Sequence, residues 1–117
     1  MQISMPQQTP LTHTSFSEFV SAHQFAVIHF WASWNAYDIQ MRRLIESQIP
    51  DEFRECVAFA MFDIDPAEHH EICRQHRVLN VPFLAFYRAG SLVRTETGLP
   101  KPELFAGFLR DLVHASA

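Results

Sequence analysis

Two apolar runs limit what this chain can fold into. "FAVIHFW", residues 25–31, and "CVAFAMFDI", residues 56–64, are almost unbroken in hydrophobic and β-favouring side chains. A run of this length without polar alternation belongs to a strand covered on both faces, as in the middle of a sheet that has helices above and below it. Helical periodicity follows each run. Residues from about Asn35 to Gln48 place Met41, Leu44 and Ile45 on one side and stop before Pro50, and a further helix is expected from about Ala67 to Arg77. Ahead of the first run, Ser15-Phe16-Ser17-Glu18 has the spacing of a capping box and predicts a short helix reaching about His23.

The second half changes character. "PFLAFY" and "SLVRTET" flank Arg88-Ala89-Gly90, and the glycine marks a tight turn between antiparallel strands. After Gly98 and Pro100 a last helix, about Lys101 to His114, is expected to turn Leu104, Phe105, Phe108, Leu109 and Leu112 toward the core. Strands alternate with helices first, and a hairpin plus a helix close the chain. That order predicts an α/β fold, a central mixed sheet with helices on both faces. Residues 1–13, polar and carrying Pro6 and Pro10, read as a flexible leader with a short edge strand near its end, and 14–117 as one domain.

Composition narrows the function classes. With 117 residues, 48% hydrophobic, and eleven Phe, the chain can build one real core. A net charge of −4 and a single Lys leave no basic stripe to neutralise phosphates, so nucleic acid is not an expected partner. No apolar run approaches the roughly 20 residues that span a bilayer, and "MQISMPQQTP" lacks the apolar core of a signal peptide, so no membrane association and a cytoplasmic location are expected. Cys56 and Cys73 are the only cysteines, which implies no disulfide framework. No cofactor is expected.

The element order, with "FWASW" ending the first central strand and "NVPFL" opening the hairpin, resembles the thioredoxin family over about residues 8 to 114. Trp31 and Trp34 before the helix, Val81-Pro82 at the family's cis-proline, and Gly90 and Gly98 around the last hairpin fall in register. "VIHFWASW" followed by "IQM", with His29 where ordinary thioredoxins bury an Asp, is similar to the amino-terminal thioredoxin-like domain of multidomain monothiol glutaredoxins. The resemblance implies a thioredoxin fold with a cis-Pro loop at Val81-Pro82. It also places a vestigial active site at Asn35-Ala36-Tyr37-Asp38, where Asn35 and Asp38 stand in the two cysteine positions.

Thiol-disulfide exchange needs an attacking thiolate, and neither Asn nor Asp supplies one. Asn35 is among the best N-cap residues and Asp38 falls in the first helical turn, so the two read as a capping pair, against a catalytic role for Asp38. With no thiol beside it, His29 reads as a neutral, hydrogen-bonded core histidine. What remains is a peptide-facing groove of Trp34, Tyr37, Val81, Pro82 and Gly98. Trp34 reads as either core or binding surface, and Asp38 is expected at the groove's rim. By resemblance the Val81 backbone, with a free N–H and C=O, would pair with an extended peptide, while the plainer reading of Pro82 is a turn that starts the strand.

Two rival chemistries come from elsewhere in the chain. "HHEICRQH" sets His69, Cys73 and His76 at spacings of four and three on one helical side, a zinc-type ligand set. Against it, Ile72 and Cys73 are expected to face the core. Cys73 or Cys56 acting as a single reactive thiol is the other rival, and that would require a depressed pKa and solvent access. A protein-interaction domain without disulfide turnover, without metal, and with a protein or peptide partner is the expected function.

Overall fold

A computed structural model describes residues 8–114. Residues 1–7 of the expected leader, and 115–117, lie outside the described residues. In chain order the elements are β1 (Gln8–Leu11), α1 (Phe16–Ala22), β2 (Phe25–Trp31), α2 (Ala36–Ser47), α3 (Asp51–Arg54), β3 (Ala58–Asp63), a 3₁₀ turn (Ala67–His69) running into α4 (His70–Gln75), β4 (Phe83–Arg88), β5 (Ser91–Thr97) and α5 (Pro102–His114). The strands form one mixed sheet of order β1-β3-β2-β4-β5. β3 pairs in parallel with β1 and β2, and β4 pairs antiparallel with β2 and β5.

The two apolar runs become the central strands for the reason their composition suggests. Successive side chains of β2 alternate between two cores. Val27 packs with Met41, Leu44, Ile45, Phe59, Leu84, Phe86, Phe105 and Leu109 on the face covered by α2 and α5. Ala26, Ile28 and Phe30 pack on the other face with Phe16 and Val20 of α1 and with Phe62, Phe83 and Tyr87 of the sheet. Phe16 meets Phe62 edge-on at 5.1 Å, a favourable geometry for two aromatic rings. The hairpin turn puts Ala89 at φ 50° and Gly90 at φ 83°. Two consecutive left-handed residues give the turn whose twist matches paired strands.

Several expectations need correction. The edge strand expected near the end of the leader is β1, and because Gln8–Leu11 pair with β3 these residues belong to the sheet and not to a flexible leader. Ser15 precedes α1 but makes no side-chain cap; it adopts helical backbone angles, and its Oγ accepts the Thr12 N–H at 2.9 Å. The helix expected from Ala67 to Arg77 is shorter and starts as 3₁₀, and it ends where Arg77 turns to φ 57°. α3, just past Pro50, was not anticipated. Leu104 is 54% exposed, since α5 buries the stripe of Phe105, Phe108, Leu109 and Leu112 and position 104 falls just outside it.

Candidate functional site

The site lies where β2 ends and α2 begins, opposite the loop before β4. The chain turns through Ala32-Ser33-Trp34, and the Asn35 N–H donates to the Ala32 carbonyl at 3.1 Å. Asn35 is extended at φ −102° and ψ 116°, as an N-cap requires, and its Oδ1 accepts the Tyr37 N–H at 2.9 Å. The capping role expected for Asn35 is therefore met. Its other amide atom does something further: Nδ2 donates to the Val81 carbonyl at 3.2 Å. One side chain thus ties the helix start to the facing loop.

That loop is held from several directions. The Val81–Pro82 peptide is cis, and the Pro82 carbonyl accepts the Gly98 N–H at 2.8 Å, with Gly98 at φ 96°. The Val81 N–H donates to the Asn80 side chain at 3.1 Å. Both backbone groups of Val81, expected free for an incoming strand, are occupied by asparagine side chains. A peptide that added itself here would have to share the Val81 carbonyl with the Asn35 amide and release the Val81 N–H from Asn80.

Asp38 departs furthest from expectation. It is 1% exposed, far from a rim position, and it caps nothing. Its Oδ1 lies 2.7 Å from Nε2 of His29, and its Oδ2 accepts the Ala32 N–H at 3.1 Å. A carboxylate only accepts, so Nε2 is the protonated ring nitrogen. His29 is fully buried, and its Nδ1 has no partner among the described residues. The cause is helical geometry. Residues 38, 41 and 45 share the face of α2 that meets the sheet, where Met41 and Ile45 are buried, so the carboxylate at 38 points inward and must find partners there. That spacing, together with a histidine inside a buried strand, was the available signal for the pair.

Trp34 and Tyr37 stand outside, 69% and 60% exposed, and the Trp34 indole N–H donates to Asp65 Oδ1 at 3.2 Å. Of the five residues expected to line the groove, Val81 and Pro82 are buried and only the two aromatics offer large exposed side chains. Replacing Asn35 with alanine removes a cap and the tie to Val81 together. A loss of about 1–2 kcal/mol in chemical denaturation is expected, with Asn35→Asp recovering the cap but not the bond to Val81.

The thioredoxin family model matches residues 7–111. The chain belongs to the thioredoxin family. It is 31% identical over 114 residues to monothiol glutaredoxin-4 of Saccharomyces cerevisiae, covering 97% of this chain and 43% of that protein. It is 33% identical over 72 residues to monothiol glutaredoxin-S17 of Arabidopsis thaliana, covering 62% of this chain and 14% of that one. The chain therefore spans less than half the length of these curated relatives. Among solved structures it is similar to mitochondrial thioredoxin 3 of Saccharomyces cerevisiae, with a TM-score of 0.77 at 24% identity over 90% of this chain and 95% of that one. The thioredoxin of Malassezia sympodialis superposes with a TM-score of 0.79 at 18% identity, over 95% and 96% of the two chains.

Within this thioredoxin-family domain the rival ligand set does not converge. His69 is buried, with Nδ1 against the Asp63 carbonyl at 2.6 Å and its ring stacked on Phe62. His76 bonds to the Ile72 carbonyl and to the Tyr87 hydroxyl. Among the described residues no group of three His, Cys, Asp or Glu side chains could hold a metal ion. The expectation that Ile72 and Cys73 face the core holds in part, since both are half-buried against it. Burial pushes the Cys73 thiol up; a backbone hydrogen bond offsets part of this and the Asp63 charge adds to it, which is the wrong direction for a nucleophile. Cys56 is exposed and donates its S–H to the Glu52 carbonyl at 3.3 Å. Among the described residues no helix is long and apolar enough to cross a membrane.

Proposed function

We propose that this thioredoxin-family domain is a redox-inactive protein-interaction module, which holds a protein or peptide partner against the Trp34–Tyr37 face and performs no disulfide turnover. The observation that carries this reading is the pairing of two exposed aromatic side chains with a site interior closed by the His29–Asp38 pair. Aromatic side chains on a rigid scaffold are the usual anchors of interfaces, because they bury large area while losing little conformational freedom. The likeness to part of two monothiol glutaredoxins supports a module that serves larger proteins. Because the Val81 carbonyl is taken by Asn35, the aromatic anchors supply most of the affinity, and strand-like pairing at Val81 is secondary.

The test is a peptide-library screen followed by mapping of backbone amide shifts on the isotope-labelled domain. Trp34→Ala is expected to weaken the selected ligand by about 1–3 kcal/mol and to leave the fold intact, as the side chain packs in neither core. Shifts clustered on α5 with unchanged affinity for the Trp34→Ala protein would show that the partner sits elsewhere.

A further inference from the structure

Beside the aromatic face lies a groove that the reading above does not use. Its volume is about 560 Å³, its floor is formed by Ile64, Cys73 and Val78, and Leu79 stands at its edge. Leu79 is 95% exposed, the most exposed of the large apolar side chains. Arg74, Arg77 and His70 supply its polar lining, and a His70 ring nitrogen meets the Asp65 carbonyl at 3.2 Å. Asp65 is also the partner of Trp34, so the two surfaces adjoin at this residue.

The charge distribution identifies the occupant. The chain carries a net −4, yet the side chains lining this groove include two guanidinium groups and no carboxylate. Arg74 is paired with Glu71 outside the groove, whereas Arg77 makes no ion pair among the described residues. Arg77 also holds a left-handed backbone at φ 57°, the residue at which the chain leaves α4 and starts toward β4. An arginine fork matches a carboxylate in both geometry and charge, and an apolar floor with a projecting leucine matches aliphatic or aromatic side chains. We propose that this groove docks a protein segment that alternates acidic and large apolar residues. This is a second surface, and it stands independently of the Trp34–Tyr37 reading.

The groove carries its own reporter, since Cys73 lies in its floor and the exposed Cys56 is not among its lining residues. A short fluorescein-labelled peptide alternating Leu or Phe with Asp or Glu is titrated onto the full chain by fluorescence anisotropy. A control peptide carries Asn and Gln in place of the acids. Maleimide labelling of the two thiols is followed by mass spectrometry with and without peptide. The expected results are saturable binding of the acidic peptide, binding about tenfold weaker for the control, and a similar loss on combining Arg74→Glu with Arg77→Glu. Labelling of Cys73 should slow when peptide is present while that of Cys56 is unchanged. Equal binding of the two peptides, or an unprotected Cys73, overturns the proposal. If Trp34→Ala abolishes binding while the double charge reversal does not, the segment sits on the aromatic face, and the groove proposal fails while the proposed function stands. If the double reversal abolishes binding and Trp34→Ala does not, the groove holds and the aromatic face is not this ligand's site.

Discussion

Replacing Asp38 with alanine is expected to lower the stability of this domain by about 3–5 kcal/mol, a large share of what a chain of this size possesses. The buried carboxylate accepts two hydrogen bonds, from His29 Nε2 at 2.7 Å and from the Ala32 N–H at 3.1 Å. Its removal strands both donors away from water. His29 is poorly placed to absorb that, because its Nδ1 already lacks a partner among the described residues. Asp38→Asn should fall between the two, since its one amide oxygen can satisfy only one of the two donors and its NH₂ must face the other. Combining His29→Leu with Asp38→Leu should recover much of the loss, because an apolar pair leaves no side-chain charge unpaired. Chemical denaturation of these three variants, together with the single changes His29→Leu and Asp38→Leu that complete a double-mutant cycle, checks this. A loss under about 1 kcal/mol for Asp38→Ala would show that the pair is not the support that its geometry implies.

Reduction of a protein disulfide in the presence of this domain and excess dithiol is expected to proceed at the rate of the dithiol alone. No thiol stands at the start of α2, where the free N–H groups and the helix dipole would favour a thiolate. The two cysteines lie elsewhere, and burial holds Cys73 toward its protonated form. A rate clearly above the dithiol background, lost on replacing either Cys56 or Cys73, would overturn the redox-inactive reading and favour a single-thiol mechanism. Asn35→Cys combined with Asp38→Cys should introduce measurable exchange, at a cost to the fold. The first change removes the cap on Tyr37 and the bond to Val81, and the second leaves His29 and Ala32 unpaired. Met61, which pairs with His29 across β2 and β3 and offers neither charge nor a hydrogen-bond donor, should keep the gained rate low. Activity and thermal stability measured on the same preparation separate a weak site from an unfolded one.

The fold was legible in the sequence because its strongest signals are local. The run "FAVIHFW", six apolar residues interrupted only by His29, requires cover on both faces whatever surrounds it, and the Ala89-Gly90 turn and the stop before Pro50 act within a few residues. Asn35 as an N-cap belongs to the same class, since a cap is a contact with the next two residues. Helix ends and stripe edges were less well determined. Past the end of α4 the chain turns at Arg77 through a left-handed backbone that favours Gly or Asn, so the residue type there carried no stop signal, and Leu104 lies one position outside the buried stripe, where a small rotation of α5 decides burial.

The character of the site was decided by tertiary structure, through contacts between residues far apart in the chain. Asp38 reads as a first-turn acid until the packing of α2 on the sheet turns its face inward and sets it against His29. Asn35 meets Val81 across 46 positions, and Trp34 meets Asp65 across 31. Sequence alone supplied the residue types that could form a closed, thiol-free junction. Which polar atoms close it, and that they leave Trp34 and Tyr37 as its outward face, follows from how the helix and the loop before β4 dock on one sheet, because a buried polar group takes whichever partner the fold brings within reach.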